Sequence, residues 1–279
     1  MKKKLLTTLA VAVCAIALVV GSIAGTVAYL SVRVSVTNTF THGMVTISLD
    51  ERRVDKNGNP LGNENDRITG NEYMLMPGTT YTKDPIIHIG ADSQPTYLFL
   101  KVDNGIAGLA MTPADKAEIN SKRPPEKQVS TIHEQLLANG WKVYVENAAD
   151  TDPNNNVEYK NTIHIDSDGF DIVTSSTVYY YSAGPGETET EALVIGPNVS
   201  TDAEGKEIRT QRDVPTINYF TVGLTGVNQT SMGAYVRKDV TIVITAYAVQ
   251  GEGDAINSLD EAANIFKSEF ASAIPTTTP

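Results

Sequence analysis

Between Val236 and Val249 the chain reads as a strand, and from Val240 it alternates with a period of two: Val240, Ile242, Ile244, Ala246 and Ala248 face one way, Thr241, Val243, Thr245 and Tyr247 the other. A period of two belongs to a strand, not a helix. Both rows are largely apolar, so each face of the strand needs a covering layer, and the segment is expected at the centre of a sheet. That requirement limits the chain to a layered β architecture.

The same period recurs along the sequence. Val32, Val34 and Val36 alternate with small polar residues and Arg33, and Val45, Ile47 and Leu49 alternate with Thr46 and Ser48. Further strands are expected at 73–76, at 82–89 with a break near Pro85, and at 97–102, 141–145, 162–165, 170–173, 177–181, 192–195 and 216–224. In the aromatic run Tyr179-Tyr180-Tyr181, alternation places core on one side and rim on the other. Turn chemistry separates the strands, as in Asp55-Lys56-Asn57-Gly58-Asn59-Pro60 within a polar loop over 55–71, and in Met76-Pro77-Gly78.

Three helices interrupt the pattern. A short one is expected near 113–119, and a second from a Ser130 cap to Asn139, closed by Gly140, with Ile132, Leu136 and Leu137 on its apolar side. A third opens at the capping-box sequence Ser258-Leu259-Asp260-Glu261 and carries Leu259, Ala262, Ala263, Phe266 and Phe270 as a stripe. Strands dominate and no βαβ alternation occurs. The expected fold is therefore all-β with a few helices, a jelly-roll-like β-sandwich.

The front of the chain reads differently. Lys2, Lys3 and Lys4 precede an apolar run from Leu5 to Val20, and small residues lead to Ala28, the layout of a cleavable secretory signal. Cleavage is expected between Ala28 and Tyr29, leaving residues 29–279 as one domain, with insertions at about 105–140 and 196–214 and a terminal helix at about 258–272. An uncleaved anchor is the alternative, since the stretch is long enough to span a bilayer. Lipidation at Cys14 is disfavoured by the bulky Val13 before it and the apolar run after it.

Cys14 is the only cysteine, so the mature domain has neither disulfides nor thiol chemistry, and packing with hydrogen bonds must hold it together. Such an exported chain suits the surface or surroundings of a Gram-positive bacterium. Without the three leader lysines the domain carries 19 basic against 33 acidic residues, a net charge of −14, which excludes nucleic acid as a natural partner.

Catalytic and metal motifs are incomplete. His133-Glu134 opens like a zinc-protease helix, but position 137 is leucine where a second histidine would have to share the metal. His42, His88 and His164 are scattered on turns and strands and read as structural or surface residues. Asp55, Asn57 and Asn59 resemble the start of a calcium loop, yet glycine falls at the fourth place and no glutamate at the twelfth. Asp150–Asn154 and Asp166–Gly169 read as Asx turns, and Gly184-Pro185-Gly186 as a turn. No catalytic residue and no cofactor is assigned.

Gly25-Thr26-Val27-Ala28-Tyr29-Leu30-Ser31, followed by Val36-Thr37-Asn38-Thr39-Phe40-Thr41-His42-Gly43, resembles the start of TasA/camelysin-like proteins. Asn71–Pro85, Tyr97–Asn104 and Thr245–Gln250 are similar to later stretches of that family, whereas 105–235 match less clearly. The resemblance implies processing by a SipW-type signal peptidase and a jelly-roll subunit of extracellular biofilm-matrix fibres. It further implies a head-to-tail homopolymer, with an accessory anchor protein as a further partner. Val32, Val34 and Val36 would then form a donor strand that completes the sheet of the next subunit; in the opposing reading they pair within their own domain. Camelysin-like relatives imply a secreted metalloprotease as an alternative, and a cell-surface adhesin is another. The ending Pro275-Thr276-Thr277-Thr278-Pro279 carries no wall-sorting pattern, which argues against covalent display.

Overall fold

A computed structural model of the chain describes residues 31–34, 45–144, 160–165, 171–182, 194–225, 227, 231–232, 235, 241–251 and 258–269. In chain order the strands begin with β1 (Ser31–Val34), β2 (Ile47–Arg52), β3 (Arg67–Ile68), β4 (Thr80–Thr82), β5 (Ile86–Ile89) and β6 (Thr96–Asn104). Helices α1 (Pro113–Ser121) and α2 (Ile132–Ala138) follow, then β7 (Trp141–Val143), β8 (Lys160–Ile165) and β9 (Asp171–Tyr181). The chain continues through β10 (Val194–Ile195), β11 (Asn198–Thr201), β12 (Glu207–Thr210), β13 (Arg212–Pro215), β14 (Tyr219–Thr221), β15 (Ile242–Gln250) and helix α3 (Leu259–Glu269). The protein is mainly β, as its alternation requires.

Two sheets form a sandwich. One has the order β1-β15-β6-β9-β7, with β10 added to β6 and β8 to β9; the other has the order β13-β5-β2-β3. Every pairing between named strands is antiparallel. Leu98, Leu100, Val102, Tyr179, Tyr181, Ile244, Ala246 and Ala248 of the first sheet meet Ile47, Leu49, Ile87, Ile89 and Val214 of the second in a single buried core. Trp141 closes one side, fully buried, with its indole N–H donating to the Pro215 carbonyl at 2.9 Å. An indole buried without such an acceptor would lose its water hydrogen bond uncompensated.

The reverse face of the first sheet is also dry. Tyr97, Phe99, Val178, Tyr247 and Val249 pack beneath α3, which supplies Ala262, Ala263 and Phe266. Phe266 stacks on Phe99 at 4.5 Å between ring centres and meets Tyr247 edge-on at 5.3 Å. The apolar character of both rows of β15 thus has two causes, a facing sheet and a covering helix. The α3 opening is held by Glu261 N–H donating to Ser258 Oγ at 3.3 Å. Phe270, expected on the same stripe, lies outside the described residues.

Several local expectations change. Residues 73–76 do not form a strand: Tyr81 Oη donates to the Met74 carbonyl and accepts from Met76 N–H, and Met74 N–H donates to Lys56 O, so no ladder partner is left. Segments 170–173 and 177–181 merge into β9. Thr131, not Ser130, caps α2, because Glu134 stands three places later and completes the capping box with it. Leu137 points outward at 46% exposure, while Gln135 is buried and bonds the Tyr219 carbonyl and the Asn218 amide. The polar stretch 196–214 holds β11, β12 and β13, the first two forming a hairpin that is exposed along almost its whole length.

At α1 the cap is also a tertiary tie. Asp115 is 1% exposed, and its carboxylate accepts from Thr112 N–H and from both the amide and the hydroxyl of Thr225. Burial alone would raise its pKa, but the Thr225 hydroxyl and the Thr112 and Thr225 amides outweigh burial and hold it at about 2.

Two stability measurements follow. Phe266→Ala should cost about 3–5 kcal/mol in urea unfolding, against less than about 0.5 kcal/mol for Leu137→Ala. Since the native pKa of Asp115 lies below its ordinary value of 3.8, its contribution is present above that value and fades as pH falls toward about 2. The Asp115→Asn variant should accordingly unfold at lower urea than the parent at pH 6, with the gap narrowing toward pH 2.

Candidate functional site

The front edge of the larger sheet is the candidate assembly site. The β1 backbone pairs antiparallel with the end of β15: Ser31 opposite Val249, Val32 opposite Ala248, Arg33 opposite Tyr247, and Val34 opposite Ala246. On its other side β15 pairs with β6 along its whole length, from Ile242 opposite Asn104 to Gln250 opposite Thr96. β1 therefore covers only part of the outer edge of β15, and among the described residues Ile242–Thr245 have no strand on that side. Residues 244–249 of β15 are all buried. An edge strand of four residues thus shields a long apolar strand whose remaining amides and carbonyls would form an open edge.

Of the residues expected to act here, Val32 and Val34 lie on β1, within this chain's own sheet. Ala28, Tyr29 and Val36 lie outside the described residues. None of the helices among the described residues is long and apolar enough to cross a membrane.

The Asp55 loop has a different construction from an ion-binding loop. Asp55 Oδ1 accepts from the amides of Asn57 and Asn59 at 2.8 and 2.9 Å, and the Asn59 side-chain amide donates to Oδ2 at 3.1 Å. Those bonds, the Asn59 side chain first, hold the Asp55 carboxyl below its usual range. Gly58 sits at φ +80°, where a Cβ would fall 2.8 Å from Tyr81 Cα. The same pattern closes the β11–β12 hairpin: Asp202 Oδ1 accepts from Glu204 and Lys206 amides, and Gly205 has φ +82°. Both tips are Asx turns of the sequence Asp-x-x-Gly-x.

His133 and Glu134 do not converge on a common centre. Glu134 accepts from Thr131 N–H at 2.8 Å and from Lys116 Nζ at 2.5 Å, and these bonds, the lysine's first, lower its pKa. His133 Nδ1 lies 3.1 Å from the Tyr179 hydroxyl. Among the described residues no group of three or more His, Cys, Asp or Glu side chains is placed to hold a metal ion.

No protein-family model, curated protein or solved structure matches the chain.

The structure adds a polar site that the sequence does not announce. His88, on the outward face of β5, lies between Asp213 of β13, 2.6 Å from Nδ1, and Asp50 of β2, 3.0 Å from Nε2. Arg67 of β3 binds Asp50 through Nε and reaches Asp84 at 3.5 Å, and the Gln211 amide lies 2.9 Å from both His88 Nδ1 and Asp213 Oδ1. Four strands are stitched across one face. Alternation gives the outward direction of Asp50 and His88, but only the register of β5 with β13 brings Asp213 opposite His88.

Burial works against protonation of His88, but the Asp213 and Asp50 carboxylates outweigh it and raise the pKa above 6.5. For a group raised in this way, the stabilisation is complete below 6.5 and is lost as pH rises through the native value. The melting temperature should therefore fall from pH 6 into the mildly alkaline range, and His88→Gln should flatten that slope. An unchanged slope in the variant would place the titration elsewhere.

Proposed function

We propose that this chain is an exported structural protein, a subunit of extracellular matrix fibres whose copies join head to tail through β1 after the leader is removed. The observation that carries the reading is the position of β1: it is the first strand after the expected cut, outermost in its sheet, and laid on an apolar strand that is paired throughout on its other side. Exchange of β1 between copies replaces backbone hydrogen bonds by equivalent ones, so it needs little new interface energy. Concentration then decides between self-pairing and exchange.

The contact is heterologous. The front of one copy meets the β15 edge of another and leaves a free edge at the far end, so repetition yields a filament instead of a closed ring. Before cleavage β1 is tied to the apolar leader, and a SipW-type peptidase would set the moment of release. The resemblance of the junction and of Asn71–Pro85 to TasA/camelysin-like proteins supports the same reading. The metalloprotease alternative gains nothing from α2, where Glu134 is committed to the helix cap and to Lys116.

Electron microscopy of the purified 29–279 chain tests the proposal. Filaments should appear as concentration rises, and Val34→Asp should give a folded monomer with unchanged circular dichroism and no filaments. Filaments of the Val34→Asp protein equal to the parent's would sink strand exchange, as would a parent that stays monomeric at high concentration.

A further inference from the structure

The alternation of β2 places Ile47, Leu49 and Glu51 on the inner face, so the strand ends with a carboxylate where a third apolar residue would be expected. Glu51 is 3% exposed. One of its oxygens, Oε2, accepts from Lys83 Nζ at 2.8 Å, and Lys83 is itself only 9% exposed. The other, Oε1, accepts from the side-chain amide of Asn71 at 3.0 Å. An amine and a carboxamide thus sit side by side on the two oxygens of one buried carboxylate.

Asn71 is fixed in the orientation that makes its Cγ electrophilic. Its Oδ1 accepts from Val54 N–H at 2.9 Å, which draws electron density from Cγ, and its Nδ2 also donates to the Arg52 carbonyl at 2.8 Å. Tyr73, beside the triad, donates its hydroxyl to Thr82 O at 2.8 Å and leaves the carboxylate to Lys83 and Asn71. Tyr73 packs edge-on against Tyr81 and Phe220, an aromatic wall behind the group. In front of it lies a cleft of about 570 Å³ between β2 and the start of β15, lined by Glu51, Asn71, Tyr73 and Lys83 among others.

We propose that Lys83 and Asn71 become joined by an intramolecular isopeptide bond, with Glu51 as the proton-transfer catalyst. A proton passes from Lys83 Nζ to Glu51 Oε2, 2.8 Å away, and frees the lone pair of the amine. The Nζ lone pair attacks Asn71 Cγ, and the negative charge that develops on Oδ1 is met by Val54 N–H. Glu51 protonates Nδ2 and becomes a carboxylate again, the Cγ–Nδ2 bond breaks, and the surplus proton on Nζ passes by way of Glu51 to the released ammonia. One C–N bond replaces another, the ammonia leaves through the cleft as ammonium, and nothing is oxidised or reduced. Fixed proximity supplies the driving geometry, because the reacting groups share one carboxylate instead of meeting by diffusion.

The bond would close the segment 71–83 around the Met76-Pro77-Gly78 turn and tie it covalently to the entry of β5. In a domain without disulfides it would supply the cross-link that thiols cannot. The inference stands apart from fibre formation, since a monomer would carry the bond equally.

Intact-mass spectrometry of the folded 29–279 chain, measured after denaturation, tests it. The parent should weigh less than its sequence by one ammonia per chain, and proteolysis should return Asn71 and Lys83 in a single branched peptide. Glu51→Gln and Lys83→Arg should keep the full sequence mass and yield two linear peptides. If those variants fail to fold, the branched peptide of the parent decides alone. A parent of full mass, with both linear peptides recovered, overturns the proposal. So does an ammonia loss that maps to the Asn57-Gly58 step and is cleaved by hydroxylamine, the mark of a succinimide.

Discussion

The pairing of β6 with β15 is the interaction on which the remaining structure depends. Nine consecutive residue pairs join the two strands, from Asn104 with Ile242, 138 positions apart, to Thr96 with Gln250, 154 apart. Their inner side chains make half of the sandwich core, and their outer ones make the floor beneath α3. A slip of β15 by one residue would exchange its two faces and place Tyr247 against the second sheet, where small alanines now sit. The Thr96 hydroxyl, fully buried and donating to Val249 O at 2.7 Å, helps to fix the register at one end.

Much of this architecture is legible in residue order, for a physical reason that also marks where legibility stops. Strands with one or two buried faces write their environment into a period of two, and β2, β5, β6 and β15 are read from it directly. The β11–β12 ribbon is not, because neither face is buried and its sequence carries no apolar row; only the Asp-x-x-Gly-x tip, already present at Asp55, hints at a hairpin. Residues 73–76 look like a strand because Tyr73 and Leu75 alternate with smaller or more exposed neighbours, but their hydrogen bonds go to a tyrosine hydroxyl and a loop carbonyl. The α2 start turns on which of two adjacent hydroxyl residues has a glutamate three places later, and that residue is Thr131.

Polar groups on the two faces of the smaller sheet are the least legible part. The Asp50–His88–Asp213 stitch and the Glu51–Lys83–Asn71 cluster each gather side chains from separate segments, and no spacing along the chain encodes their meeting. Both are built at inward or outward positions of β2, with opposite consequences. On the outer face, charge is shared with a histidine and an arginine near solvent. On the inner face, a carboxylate is enclosed, and only complete hydrogen bonding makes its burial tolerable. The front strand is intermediate: its sequence gives its shape, while its partner is specified by register alone.

The placement of β1 also governs the order of events during biogenesis. Its partner on β15 lies more than two hundred residues downstream, and α3, the last helix, lies against both β15 and β1. A chain threaded across a membrane from its front end must therefore keep its earliest strand waiting until nearly everything else has emerged. Throughout that interval the leading valines are without their native neighbour, and in the proposed export the timing of leader removal would decide whether they wait beside a bilayer or in open water.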